Sequence, residues 1–220
     1  MKLYSVIPRI LQFVAWWPTY FWFTVFYGFS AEGKENLRGL KSAIFACNHS
    51  NELDTIMLTA AVTPFSRFAP MFYVSRERSF YQDEKFGWRR YIYGETFFAM
   101  WGAFKAYAGL KDYEKTLRNH IKLLEDGYSL CIFPEGRMTK DGNLQEGHGG
   151  VAFLSHRTEV PIVPVRIKGT YRFSFTPLFG GKQKVTVVFG KPLPLSVEKE
   201  FSVEKAKQEA QEVMSRIAAL

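Results

Sequence analysis

Ser42-Ala43-Ile44-Phe45-Ala46-Cys47-Asn48-His49-Ser50-Asn51-Glu52-Leu53-Asp54 passes from an unbroken apolar run through a polar turn into the start of a helix. The run Ser42–Cys47 predicts a short buried strand, and a continuously apolar strand is one covered on both faces. Asn48–Asn51 is polar. From about Asn51, Leu53, Ile56, Met57 and Ala60 fall at helical spacing. A buried strand that turns at once into a helix is the repeating step of an α/β fold, and polar side chains at that turn stand at the strand's C-terminal edge, where such sheets bind their ligands.

Outward from this stretch the step repeats. Phe68–Val74 is strand-like, and Thr96–Met100 is another short apolar run. Asp112 can cap a helix carrying Tyr113, Leu117, Ile121 and Leu124 on one face and ending at Gly127. On that helix His120 is expected on the exposed side, and His156 is expected at the surface. Tyr128–Phe133, Pro161–Ile167 and Lys184–Phe189 read as further strands. Two prolines within Val160–Val165 predict an edge strand or an irregular stretch. Ser202 can cap a last helix, with Val203, Ala206, Ala210, Val213, Ile217 and Leu220 three and four apart. The fold class expected is α/β, a mixed, mostly parallel sheet flanked by helices.

The N-terminal segment differs. Between Arg9 and Glu32 there is no charged side chain, and Ile10–Phe29 is nearly all apolar or aromatic. Pro18 sits in its middle, where it would kink or break a helix. Trp16, Trp17, Tyr20, Trp22 and Tyr27 are spread through it instead of gathered at its ends, and basic residues flank both sides. Two short helices bent near Pro18 and dipping into one leaflet fit this pattern better than a span or a cleaved signal. Residues 1–32 are therefore expected to form a separable membrane-associating hairpin, and residues 33–220 the α/β domain.

Composition narrows the functional classes. Hydrophobic residues make up 47% of the 220, which excludes a disordered chain. The net charge of +8 calls for an anionic partner, and with so apolar an N-terminus and no regular basic stripe that partner is an anionic membrane surface, not nucleic acid. The two cysteines, Cys47 and Cys131, form no C-x-x-C pair, so no metal site of that kind and no disulfide framework is indicated. Free buried thiols suit a reducing, cytoplasmic setting.

Two turns carry the chemistry. In the first, the chain can swing His49 back over the opening helical turn, where Asp54 lies. A carboxylate on one imidazole nitrogen leaves the other free to take a proton from a hydroxyl. In the second, Phe133-Pro134-Glu135-Gly136-Arg137 also follows a buried strand and leaves Glu135 and Arg137 at the same sheet edge. Arginine is a fork donor suited to phosphate oxygens. His148, among Gly147, Gly149 and Gly150, lies close by in sequence. Arg76, Arg78, Lys85, Arg89 and Arg90, interspersed with Phe80, Tyr81, Phe86 and Trp88, suit lipid headgroups and a solvated loop equally.

In order and spacing these motifs resemble the glycerophospholipid O-acyltransferases. Asn48, His49 and Asp54 match N-H-x-x-x-x-D, Phe133 through Gly136 match F-P-E-G, Val160 through Val165 match V-P-[IV]-[IV]-P-V, and Asp141-Gly142-Asn143-Leu144 matches D-G-x-L. The resemblance covers about residues 35–195. It implies that His49 is general base, oriented by Asp54, in transfer of an acyl group from acyl-CoA or acyl carrier protein to a lysophospholipid hydroxyl, with no further cofactor and no metal. It implies substrate-binding roles for Glu135, Gly136 and Arg137, and a site on the cytoplasmic face of the cell membrane. The favoured acceptor is 1-acyl-sn-glycerol-3-phosphate. The reading F-P-E-G-R, where T-R-S commonly follows the glycine, resembles the branch acting on lysophosphatidylethanolamine, which stays as an alternative beside a non-catalytic lipid-binding protein of the same fold and a thioester hydrolase. One departure stands out. Gly102–Ala108 aligns with G-x-[IF]-x-[VI]-x-R, and Ala108 occupies the arginine's place; Lys105 and Lys111 are the candidates to substitute.

Overall fold

The strand expected before His49 is β2, Ile44–Cys47, and all four of its residues are buried. The computed structural model describes residues 2–76, 78–107, 112–173, 183–193 and 202–220. Among them seven strands form one sheet. They are β1 (Ser30–Glu32), β2, β3 (Met71–Ser75), β4 (Ala103–Lys105), β5 (Ser129–Ile132), β6 (Ile162–Lys168) and β7 (Thr186–Phe189), in the order β1-β7-β6-β2-β5-β3-β4. From β6 to β4 all neighbours are parallel; β7 runs antiparallel to β6, and β1 is parallel to β7. The mixed, mostly parallel sheet is as expected.

Side chains alternate across the sheet and so feed two cores. Phe45 and Cys47 face one side with Met71, Tyr73 and Cys131; Ile44 and Ala46 face the other with Phe72, Leu130 and Ile132. The first face is covered by helix α1 (Val6–Tyr27) and helix α2 (Asp54–Ala61). After the short helices α3 (Arg78–Tyr81), α4 (Glu95–Met100) and α5 (Tyr113–Thr116), the second face is covered by α6 (Arg118–Glu125), α7 (Gly150–Thr158) and α8 (Val203–Ala218). The caps read from sequence are in place: Asp112 accepts from the amides of Glu114 and Lys115, and Ser202 from that of Lys205.

Several expectations are corrected. The apolar run Thr96–Met100 lies in α4. The helix after His49 begins at Asp54, because the Asp54 carboxylate takes the amides of Ser50 and Asn51 and holds them in a turn. Pro164 lies in an interior strand, not an edge. Its carbonyl accepts from Gly190 at 2.8 Å, so the missing N–H faces the end of β7, beyond Phe189, and the ladder with β2 is spared.

The N-terminal segment is one continuous helix of 22 residues, not two bent at Pro18. Packing on both sides of the proline holds it. Gln12 pairs with the Met71 backbone through both ends of its amide (2.7 and 2.8 Å), Trp16 Nε1 donates to the carbonyls of Ala60 and Val62, and Phe23 and Tyr27 enter the first core. Phe23, Tyr27 and Phe29 of this segment thus lie in one core with residues of β2, β3 and β6. The opposite side of α1 carries Ile7, Ile10, Val14, Trp17, Phe21 and Val25, all exposed and three or four residues apart. No helix among the described residues is long and apolar enough to cross a membrane.

His120 is fully buried, contrary to its expected exposure, and Nε2 hydrogen-bonds the Phe104 carbonyl at 3.0 Å, tying α6 to edge strand β4. His156 is largely buried too, 2.8 Å from Glu209. Burial drops the His120 pKa to about 4, and the backbone carbonyls of Phe104 and Tyr73 offset this only in part. The unfolded chain protonates the same imidazole near 6.5 and so binds the extra proton between those values. The contribution of neutral His120 is complete above pH 6.5 and is lost as pH falls toward 4, by roughly 3 kcal/mol at most. Melting temperatures measured across this window should fall more steeply for wild type than for His120→Gln, which keeps a donor for Phe104 and does not titrate. Equal slopes would refute the effect.

Candidate active site

Both turns read from sequence leave the C-terminal ends of adjacent central strands, β2 and β5, and meet there. Asn48 closes β2. Its Oδ1 accepts from the Ile167 amide at 2.7 Å and its Nδ2 donates to the Ile167 carbonyl at 3.0 Å, which fixes the chain's exit against β6. The main chain of His49 is then bracketed by the loop after β5. Its N–H donates to Glu135 Oε1 (2.8 Å), and its carbonyl accepts from the Thr139 amide (2.8 Å).

The imidazole is fixed in turn. His49 Nδ1 lies 3.0 Å from Asp54 Oδ2, and the ring stacks on Phe133 with centroids 4.0 Å apart and planes 16° from parallel. Asp54 is wholly buried, and the same Oδ2 accepts from the amides of Ser50 (2.6 Å) and Asn51 (2.8 Å). An ionised carboxylate there draws the ring proton to Nδ1 and leaves the Nε2 lone pair available. Nε2 meets no hydrogen-bond partner among the described residues, and the side chain keeps 19% of its surface exposed. A buried carboxylate, a ring held in one plane and an accessible ring nitrogen are the parts from which a general-base pair can be made.

Glu135 was expected to bind substrate. The residue is only 2% exposed, and both carboxylate oxygens are taken by this chain's own amides, Oε1 by His49 and Oε2 by Gln145 at 3.0 Å. It positions the turn that carries His49. Burial raises its pKa, and the two amides, then the charges of His49 and Arg166, counter that only in part.

Gly136 turns the chain outward with φ +65°, a left-handed conformation open to glycine, and an added Cβ would lie 3.0 Å from the His148 ring. His148 thus stands beside the loop. Arg137 is exposed, with Nε on Gln145 Oε1 at 2.9 Å. Lys105 ends β4, at the same sheet edge but three strands from β2, about 14 Å at the usual strand spacing. Its ammonium is paired with Glu95 at 2.7 Å. Lys111 lies outside the described residues.

A family model described as Acyltransferase matches residues 28–168, which holds β1 through β6 and both turns. The chain belongs to the acyltransferase family. Among curated acyltransferases, it is 28% identical over 174 residues to the 1-acyl-sn-glycerol-3-phosphate acyltransferase of Bacillus subtilis, covering 76% of this chain and 74% of that one. It is 26% identical over 171 residues to a chloroplastic enzyme of the same name from Arabidopsis thaliana, covering 76% of this chain and 44% of that one. With a Brassica napus chloroplastic enzyme of that name it shares 33% identity over 79 residues, 35% of this chain and 23% of the other. It thus spans less than half the length of the two plant relatives. The crystal structure of the 1-acyl-sn-glycerophosphate acyltransferase of Thermotoga maritima superposes with a TM-score of 0.58 at 20% identity, over 86% of this chain and 69% of that one, and shares the acyltransferase fold.

Proposed function

We propose that this acyltransferase esterifies the free hydroxyl of a lysophospholipid, 1-acyl-sn-glycerol-3-phosphate first among them, with an acyl thioester as donor. The observation that carries this reading is the contact between His49 and buried Asp54 at the mouth of the sheet edge, with Nε2 open. His49 Nε2 takes the proton as the hydroxyl oxygen attacks the thioester carbonyl. The tetrahedral intermediate collapses, the C–S bond breaks, and the departing thiolate takes the proton back from His49. Asp54 stabilises the imidazolium between the two transfers. Two substrates and one acid–base pair complete the reaction, so it calls for no metal or further cofactor. The relatives' names support the acceptor, and the exposed guanidinium of Arg137 is suited to its phosphate.

The outward stripe of α1 supports attachment to a membrane surface, with the body on the cytoplasmic side where thioesters are made. The test is purified protein with labelled acyl-CoA or acyl carrier protein and a panel of lysophosphatidate, lysophosphatidylethanolamine and monoacylglycerol. Diacyl phospholipid should form, fastest from lysophosphatidate. Preference for lysophosphatidylethanolamine would move the acceptor to the branch suggested by Arg137, and release of free fatty acid without any ester product would make the protein a thioester hydrolase.

A further inference from the structure

The basic, aromatic segment between β3 and β4 packs some of its rings inward and leaves others outside. Inside, Tyr81, Tyr93, Phe97 and Phe98 rest on one another, with ring centroids 4.6 Å apart for Tyr81 and Phe98 and 5.1 Å for Tyr93 and Phe98. Two ties fasten the segment to the turns of the site. Arg76 donates to the carbonyl of Gly136, and Arg89 Nη1 donates to the Glu52 carboxylate at 2.8 Å, inside the His49–Asp54 turn. Outside, Gly87, at φ +54°, breaks the 3-10 run Glu84–Tyr91. The turn that follows is closed by the amides of Ile92 and Tyr93, which both donate to the Arg89 carbonyl. It holds Trp88 71% exposed, Tyr91 78% exposed and Ile92 half exposed. Arg90 lies over the Tyr91 ring, 5.0 Å from its centroid, and donates to the Tyr91 hydroxyl at 2.9 Å.

Three large apolar side chains gathered outside in one short turn mark a contact surface. Their types point to one occupant. Trp and Tyr seat best where an apolar layer meets a polar one, and arginine keeps its charge in the wet layer while its stem lies along apolar surface. The net charge of +8 adds attraction to anionic lipid. The patch also continues the surface of α1. Helix α4 packs on α1, Gln12 Nε2 donates to the Trp101 carbonyl at 2.9 Å, and Met100 and Trp101 are exposed at this junction. Extending the membrane attachment read above for α1, we propose that Trp88, Tyr91 and Ile92 form a second membrane contact, seated in the headgroup layer of an anionic bilayer beside the mouth of the site. Helix α1 attaches the body, this patch sets its tilt, and the Arg89–Glu52 bridge holds the His49 turn at the lipid boundary. The partner is a surface of anionic phospholipid.

The test uses the full-length protein and vesicles of phosphatidylglycerol with phosphatidylcholine. Cys47 and Cys131 are wholly buried, so a cysteine introduced by Trp88→Cys or Tyr91→Cys takes an environment-sensitive fluorophore selectively. Vesicles should shift the emission of both labels to the blue. A label at Lys122→Cys, exposed on α6 over the opposite face of the sheet, should not shift. The double variant Trp88→Glu, Tyr91→Glu should bind vesicles roughly tenfold or more weakly and melt with the wild type. Its activity should fall more on lysolipid in bilayers than on monomeric short-chain lysolipid, and equally with acyl-CoA and acyl carrier protein as donors. If the double variant melts early, the labelled proteins decide. Labels at 88 and 91 that do not shift on vesicles that bind the protein overturn the proposal and leave α1 as the attachment surface. So does a loss confined to acyl carrier protein with vesicle binding intact, which would make the patch a docking face for that carrier. A wild-type protein that binds no vesicle would bring down the attachment through α1 as well.

Discussion

A His49→Ala chain should melt with the wild type and transfer acyl groups about 10²–10⁴ times more slowly, the usual worth of a positioned general base. The fold tolerates the change because the body is attached to His49 through its main chain, by Glu135 and Thr139, and the imidazole packs only on Phe133. Asp54→Asn should cost both rate and stability. Its amide oxygen can hold some of the donors now on Oδ2, but the neutral group no longer fixes the tautomer or stabilises the imidazolium. Single-turnover rates with saturating thioester and acceptor, beside melting curves for each protein, read the two effects separately. A folded His49→Ala protein that turns over at near wild-type rate would dispose of the mechanism.

The second large effect concerns the membrane. Replacing Val14, Phe21 and Val25 together by glutamate should weaken binding to anionic lipid vesicles by about a hundredfold or more. Burying such side chains is worth about 1.5–3 kcal/mol each when complete, and insertion into an interface is partial. All three are half exposed or more, and Phe65, 76% exposed, extends the same apolar surface by its edge contact with Phe13. The melting temperature should hold, since none of the three belongs to the core. Activity on monomeric short-chain lysolipid should be retained better than activity on bilayers. Salt should loosen wild type only in part, because Debye screening acts on the basic residues and not on buried aromatics. Vesicle sedimentation of wild type and triple variant decides it: equal binding would remove α1 as the attachment surface. Removing the first thirty residues is not the equivalent experiment, since Phe23, Tyr27 and Phe29 belong to the core and their loss should unfold the protein.

The sequence by itself determined the parts whose information is local. Unbroken apolar runs marked β2, β5 and β6, because a strand covered on both faces has no polar side to show. Asp112 and Ser202 announced two helix starts, because capping is a contact within three residues. His49 and Asp54, five apart across a strand-to-helix turn, could be paired before any tertiary contact was known. What the tertiary structure alone decided depends on residues far apart in the chain. Pro18 sits inside a straight helix because Gln12 and Trp16 on one side and Phe23 and Tyr27 on the other are gripped by the body. His120 faces inward because β4, a three-residue edge strand with no sequence signature, presents a carbonyl to it. Glu135 and Arg76 look from sequence like any charged residues after a strand. Only the sheet order, which sets β5 between β2 and β3, turns one into the bracket that holds the His49 turn and the other into a guanidinium at its rim. Strand order is fixed by how the two cores fill across the whole sheet, a property that no short window of sequence contains.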